Sequence, residues 1–141
     1  MKTITIRQAF PQTIDKVFAV FSSHEAFGAM LGQRIVRIKD SSTDDKNGVG
    51  SIRRISMPLG MDFEETVTDY QHNSYIAYEI SKGSPLKNHR GQMSFTHSDK
   101  GCFLHYEIRF ESRWPIPFFS SILAAQLKSS IGSAIKRFAE K

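Results

Sequence analysis

A single cysteine, Cys102, stands in a chain of 141 residues, so no internal disulfide can form and the fold does not depend on an oxidising compartment. Nothing approaches the run of about eighteen apolar residues that a membrane-spanning helix needs. The first ten residues, MKTITIRQAF, never build the continuous apolar segment of an export signal; they alternate and read as a strand. Internal repeats, low-complexity tracts and linker-like stretches are missing too. These absences exclude a disulfide-stapled secreted domain, a helical membrane protein and a repeat array, and they leave a cytoplasmic location as the expectation. What is present is ordinary globular composition, 40% hydrophobic and 23% charged with eleven Phe, in a length that suits one domain over residues 1–141.

Nineteen Lys and Arg against fourteen Asp and Glu give a net charge of +5, which favours anionic partners in principle. The cations are scattered, however: Arg34, Arg37 and Lys39, then Arg53 and Arg54, then Lys87 and Arg90, then Lys136 and Arg137. A solvated surface is the expectation, with no specific nucleic-acid partner and at most transient contact with a membrane. A monomer or weak homodimer fits this composition.

Residues 117–140 predict one long amphipathic helix. Phe119, Leu123, Leu127, Ile131, Ala134, Ile135 and Phe138 fall on one stripe, with Lys128, Ser129, Gly132, Ser133, Lys136 and Glu140 opposite. Ahead of it, residues 3–10 alternate as a strand that Pro11 ends. Thr13 is placed to cap a short helix with Val17, Phe18 and Phe21 on its apolar face; Ser22 or Ser23 caps a second, closed by Gly32. Strands are then predicted over residues 34–39, 49–57, 62–70, 75–81, 87–97 and 102–112. The connections are a polar turn at 40–47, a tight turn at 58–60, Gly83-Ser84-Pro85, and residues 98–101. Short turns between consecutive strands imply an antiparallel meander. Pro115 and Pro117 are expected to break the last strand and start the closing helix.

This order, together with residues 11–21 (PQTIDKVFAVF), GVGSIRRI at 48–55, EETVTD at 64–69, Tyr78 in YEI and LKNHRG at 86–91, resembles the helix-grip fold of the START-related SRPBCC superfamily. Its members include polyketide cyclase/dehydrase-like lipid-transport proteins, the major birch pollen allergen and the abscisic-acid receptors. The resemblance implies an α+β fold in which a curved antiparallel sheet of about seven strands and the last helix enclose a cavity for a hydrophobic ligand. Against the receptors, only residues 57–61 stand where a gate loop belongs, so a receptor-like gate is not expected.

Side chains alternate faces along a strand, so apolar parity picks the cavity lining. It selects Cys102, Leu104, Tyr106, Ile108 and Phe110 on the last strand, leaving His105, Glu107, Arg109 and Glu111 outside. Met93 and Phe95 face in on the strand before, and Ile76, Tyr78 and Ile80 on the one before that. The hairpin centred on Leu59 should pair Ile55 with Phe63, Arg53 with Glu65 and Ser51 with Val67, all on one face. Arg53 and Glu65 then form either an ion pair inside the pocket, able to orient a polar ligand group, or a partly solvated pair at the sheet rim. The resemblance to the abscisic-acid receptors implies that Glu65 faces inward. Tyr78 and Tyr106 either donate to a ligand or pack in the core. Leu127 faces the sheet from the helix, with Ser130 and Gln126 flanking its stripe.

Cys102 has no base on its own face, and Gly48-Val49-Gly50 precedes a strand rather than a helix, so it reads as a turn and not a phosphate loop. His24, His72, His89, His97 and His105 have no spacing that sets two ligands on one face. Neither metal nor cofactor is expected. The expected function is binding or transport of a small hydrophobic molecule, a lipid, isoprenoid or polyketide; the alternative is a cyclase or dehydratase without metal.

Overall fold

The element order is a strand, two short helices, six strands and a long helix: β1 (Lys2–Phe10), α1 (Ile14–Ser22), α2 (His24–Leu31), β2 (Ile35–Lys39), β3 (Ile52–Ile55), β4 (Phe63–Gln71), β5 (Tyr75–Lys82), β6 (Leu86–Ser98), β7 (Gly101–Ser112) and α3 (Phe119–Ala139). The computed structural model describes residues 1–56, 62–83, 86–112 and 118–141, without the side chains of residues 112, 119 and 120. The turn expected at 58–60, the short gate segment 57–61, Ser84 and Pro85, the Pro115 and Pro117 break and the Phe119 side chain therefore lie outside the described residues.

The seven strands form one antiparallel, curved sheet in the order β1-β7-β6-β5-β4-β3-β2. β2 through β7 is a meander, and the first strand closes against the last, pairing Ile4 with Ile108 and Phe10 with Cys102. Alternation explains which face is inward: on β7, Cys102, Leu104, Tyr106, Ile108 and Phe110 are buried while His105, Glu107 and Arg109 are not. β3 is shorter than the 49–57 expected because residues 48–50 form a turn and Val49 is exposed. Ser51 still takes its expected place, accepting the Val67 N–H at 3.0 Å.

Ser23 caps α2 by accepting the Ala26 N–H at 3.2 Å, and Gly32 ends it in the left-handed region at φ 71°. Thr13 stands at the N-cap of α1 but makes no capping bond with its side chain. α3 packs chiefly on β1 and α2. Its stripe is buried toward the C-terminal end, at Ala134, Ile135 and Ala139, and only half-buried at Leu123, Leu127 and Ile131. At its front, Phe118 is 80% exposed and Ile122 65%. No described helix is long and apolar enough to cross a membrane.

Candidate functional site

The inward face of the sheet divides into two ends. Where β7 begins, Phe21 contacts Phe10, Phe27, Phe95 and Phe138 at centroid distances of 5.5–6.3 Å, and Phe18 contacts Phe95 and Tyr70. Edge-to-face contacts of this kind fill space as a solid interior does. Phe95 and Leu104, predicted to line a cavity, belong to this filled end: Phe95 lies 5.3 and 5.6 Å from Phe18 and Phe21, and Leu104, its cross-strand partner, is fully buried.

The other end is polar. The β3–β4 register pairs Arg53 with Glu65 and Ile55 with Phe63. Arg53 is 3% and Glu65 5% exposed, so the pair is interior and not a solvated rim bridge. Arg53 Nε and Nη2 both donate to Glu65 Oε1, at 2.7 and 2.6 Å. Convergence on one oxygen leaves Glu65 Oε2 and Arg53 Nη1 outside this contact. The guanidinium lies 4.7 Å from the Tyr78 ring and 5.2 Å from Phe27, two faces that favour a cation. Burial pulls the Arg53 pKa down, but the Glu65 carboxylate and the neighbouring phenols outweigh it and raise the pKa, so the charge is retained.

Tyr78 and Tyr106 meet hydroxyl to hydroxyl across β6. They can do so because Gly91, opposite Tyr78, has no side chain: a Cβ there would collide with the Tyr78 ring. Burial pushes both phenols well above their ordinary pKa, so they are neutral donors at physiological pH.

One member of this cluster was not anticipated. β6 bulges between Lys87 and Arg90, with Asn88 at φ 52°, and the extra residue turns Lys87 outward while Leu86 and His89 go in. His89 lies 6.2–6.5 Å from the rings of Phe63, Tyr78 and Phe110. Its Nδ1 is buried without a hydrogen-bond partner. Desolvation lowers its pKa, against the pull of Glu65, so the ring is neutral. His89 also borders an outer groove of about 580 Å³ with Glu79, Lys87, Asn88 and Arg90.

The remaining predicted residues fall as follows. Ile55, Val67 and Ile108 are buried about the polar cluster, Met93 sits beside Tyr106 in the β6–β7 register, Phe63 and Leu127 are half-buried, and Ser130 is exposed one step outside the helix stripe. His24 is buried; its Nε2 meets Ser51 Oγ at 2.9 Å, and desolvation with the Arg53 charge lowers its pKa to about 3. Cys102 is a buried free thiol whose pKa burial raises, the state of an inert residue.

The whole chain, residues 1–141, matches the family described as polyketide cyclase / dehydrase and lipid transport. The chain belongs to that family. A START superfamily protein from Mycobacterium smegmatis superposes with a TM-score of 0.78 at 15% identity, covering 99% of this chain and 96% of that one. TTHA0849 from Thermus thermophilus gives 0.78 at 12%, covering 99% and 95%. Ara h 8.0201 gives 0.69 at 15%, covering 98% and 97%. No curated protein matches the sequence. At such identities the neighbours establish the helix-grip fold alone, and the family carries hydrophobic-ligand binding as a general property.

Proposed function

We propose that this member of the polyketide cyclase/dehydrase and lipid-transport family binds and carries a small hydrophobic molecule bearing one polar oxygen group. The apolar body lies under the front half of α3, and the oxygen group meets Arg53, Glu65, Tyr78, Tyr106 and His89. The observation that carries this reading is the burial of four polar side chains, Arg53, Glu65, Tyr78 and Tyr106, together on a face that is otherwise apolar, with half-buried His89 beside them. Burying them costs free energy that a hydrophobic core would not incur, so they are retained for a polar partner. The half-buried Leu123 and Leu127 support an entry by displacement of the front of α3, where the stripe is least packed.

Carriage is favoured over catalysis by the acid–base state of the site. Tyr78 and Tyr106 hold their protons more tightly than free phenols do, which suits hydrogen-bond donation to a ligand and opposes proton transfer to a reacting chain. Each methylene of the ligand removed from water contributes about 0.8 kcal/mol, so a chain of about ten carbons binds with few polar contacts.

Native mass spectrometry of protein taken directly from cells tests the proposal, with the Leu127→Trp variant beside it. The half-buried position accepts the larger ring, which then occupies the ligand's space. Co-purifying ligand and uptake of decanoic acid are expected in the unsubstituted protein and lost in Leu127→Trp, with unchanged circular dichroism. Equal uptake by both proteins rejects the site.

A further inference from the structure

A groove of about 410 Å³ runs between β1 and α3, lined by Thr5, Ile6, Arg7 and Gln8 from the strand and by Lys128, Gly132 and Lys136 from the helix. The three helix residues are four apart, so they stack in a row on one flank, away from the Leu127 and Phe138 stripe. Three of the seven lining residues are cationic and none is acidic. Among the described residues neither lysine lies within ion-pair distance of a carboxylate. Arg7 donates from Nε to His105 Nδ1 at 3.4 Å, not to an acid. Glu107, opposite Thr5 on β7, is engaged by Arg109 at 2.6 Å. The charge of the two lysines is therefore uncompensated, while Arg7 is held on the outer face by His105, itself 3.8 Å from Glu107.

Two further features give the groove form. β1 is an edge strand, so one side of its backbone has no sheet partner. Gly132 stands between the lysines, where a Cβ would meet nothing within 4 Å. Glycine weakens a helix interior and nothing in the packing requires it here; it keeps the space between Lys128 and Lys136 open.

We infer that this groove is a binding site for a phosphate group, carried by a small molecule or a lipid headgroup. Lys128 and Lys136 contact it from the helix, and the unpaired backbone edge of β1 at residues 5–8 faces it from the strand. A phosphate offers several acceptor oxygens pointing in different directions, which suits two lysines on one wall and backbone N–H groups on the other. The volume exceeds that of bare phosphate and leaves room for a compact organic body. The site is separate from the buried cluster around Arg53 and does not depend on what that cluster binds.

The test is an amide chemical-shift titration with inorganic phosphate and with glycerol 3-phosphate at constant ionic strength, paired with flotation on vesicles containing phosphatidic acid. Two double variants change the net charge equally: Lys128→Glu with Lys136→Glu in the groove, and Lys16→Glu with Lys46→Glu at positions elsewhere on the surface. Saturating shifts at residues 5–8 and 128–136 are expected, weakened at least tenfold by the groove variant and changed less than twofold by the control. Groove-dependent shifts without flotation identify a free phosphate compound, and groove-dependent flotation identifies a headgroup; either upholds the site. Shifts that never saturate, or equal losses in both double variants, mean diffuse surface charge and overturn it.

Discussion

The two ends of the inward face share one sheet and one alternation rule but differ in what they enclose. Around Phe21 the interior is aromatic and closed, with α1, α2, β6 and the rear of α3 all reaching it. Around Arg53 the same face holds an ion pair, two phenols and a neutral histidine, and the front of the α3 stripe is only half-buried. One end stabilises the fold; the other carries polar groups that a stable core does not need. The difference sets a closed aromatic interior at the start of β7 against a buried polar cluster at the β3–β4 hairpin, and the function proposed above makes the second the recognition end.

Truncation should separate the two ends by the widest margin. Phe21→Ala is expected to cost about 3–5 kcal/mol in urea unfolding, because its surroundings are too tightly packed to collapse into the space. Arg53→Met alone should cost a similar amount, about 3–5 kcal/mol, since it strands the buried Glu65 carboxylate. The ends then part: Arg53→Met combined with Glu65→Leu should recover most of that loss. A double variant as unstable as the single one would make the ion pair structural, like the aromatic core.

Protonation gives a smaller effect. His24 has a folded pKa of about 3 against an ordinary 6.5, so between those values the unfolded chain binds a proton that the folded chain refuses. Its contribution is complete above about pH 6.5 and declines as pH falls toward 3. Stability should drop by about 1–2 kcal/mol between about pH 7 and 5, with His89 acting in the same direction. Urea unfolding at the two pH values should show a shallower loss for His24→Gln; an identical loss would remove His24 from the account.

Much of this arrangement was legible in the sequence. Strict alternation on β7 identified its whole inward set, and the hairpin register placed Arg53 against Glu65 before any contact was known. The bulge at Asn88 was not legible, because Lys87, Asn88, His89 and Arg90 are all polar and carry no alternation to interrupt. His89 could still have been found by counting back two and four residues from Gly91 and Met93 along β6, where the inward parity continues. The division of the lining between a filled and a polar end depends on how Phe18 and Phe21 dock from α1. Helical periodicity gives the apolar face of α1 but not what that face meets.

Smaller changes sharpen the contrast. Tyr106→Phe removes one hydroxyl and keeps the ring, so thermal unfolding should register a loss of about 1 kcal/mol while decanoic acid uptake falls. Gly132→Ala, in open space on α3, should raise stability by about 0.5–1 kcal/mol by the same measurement.

Methyl chemical shifts of Ile-, Leu- and Val-labelled protein titrated with decanoic acid distinguish the polar end from the aromatic end as the ligand site. Saturating shifts are expected at Ile55, Val67, Ile108 and Leu127 and none at Ile14, Val17 and Leu104. Shifts concentrated at Ile14, Val17 and Leu104, or no saturating shift at either end, would contradict that placement of the ligand.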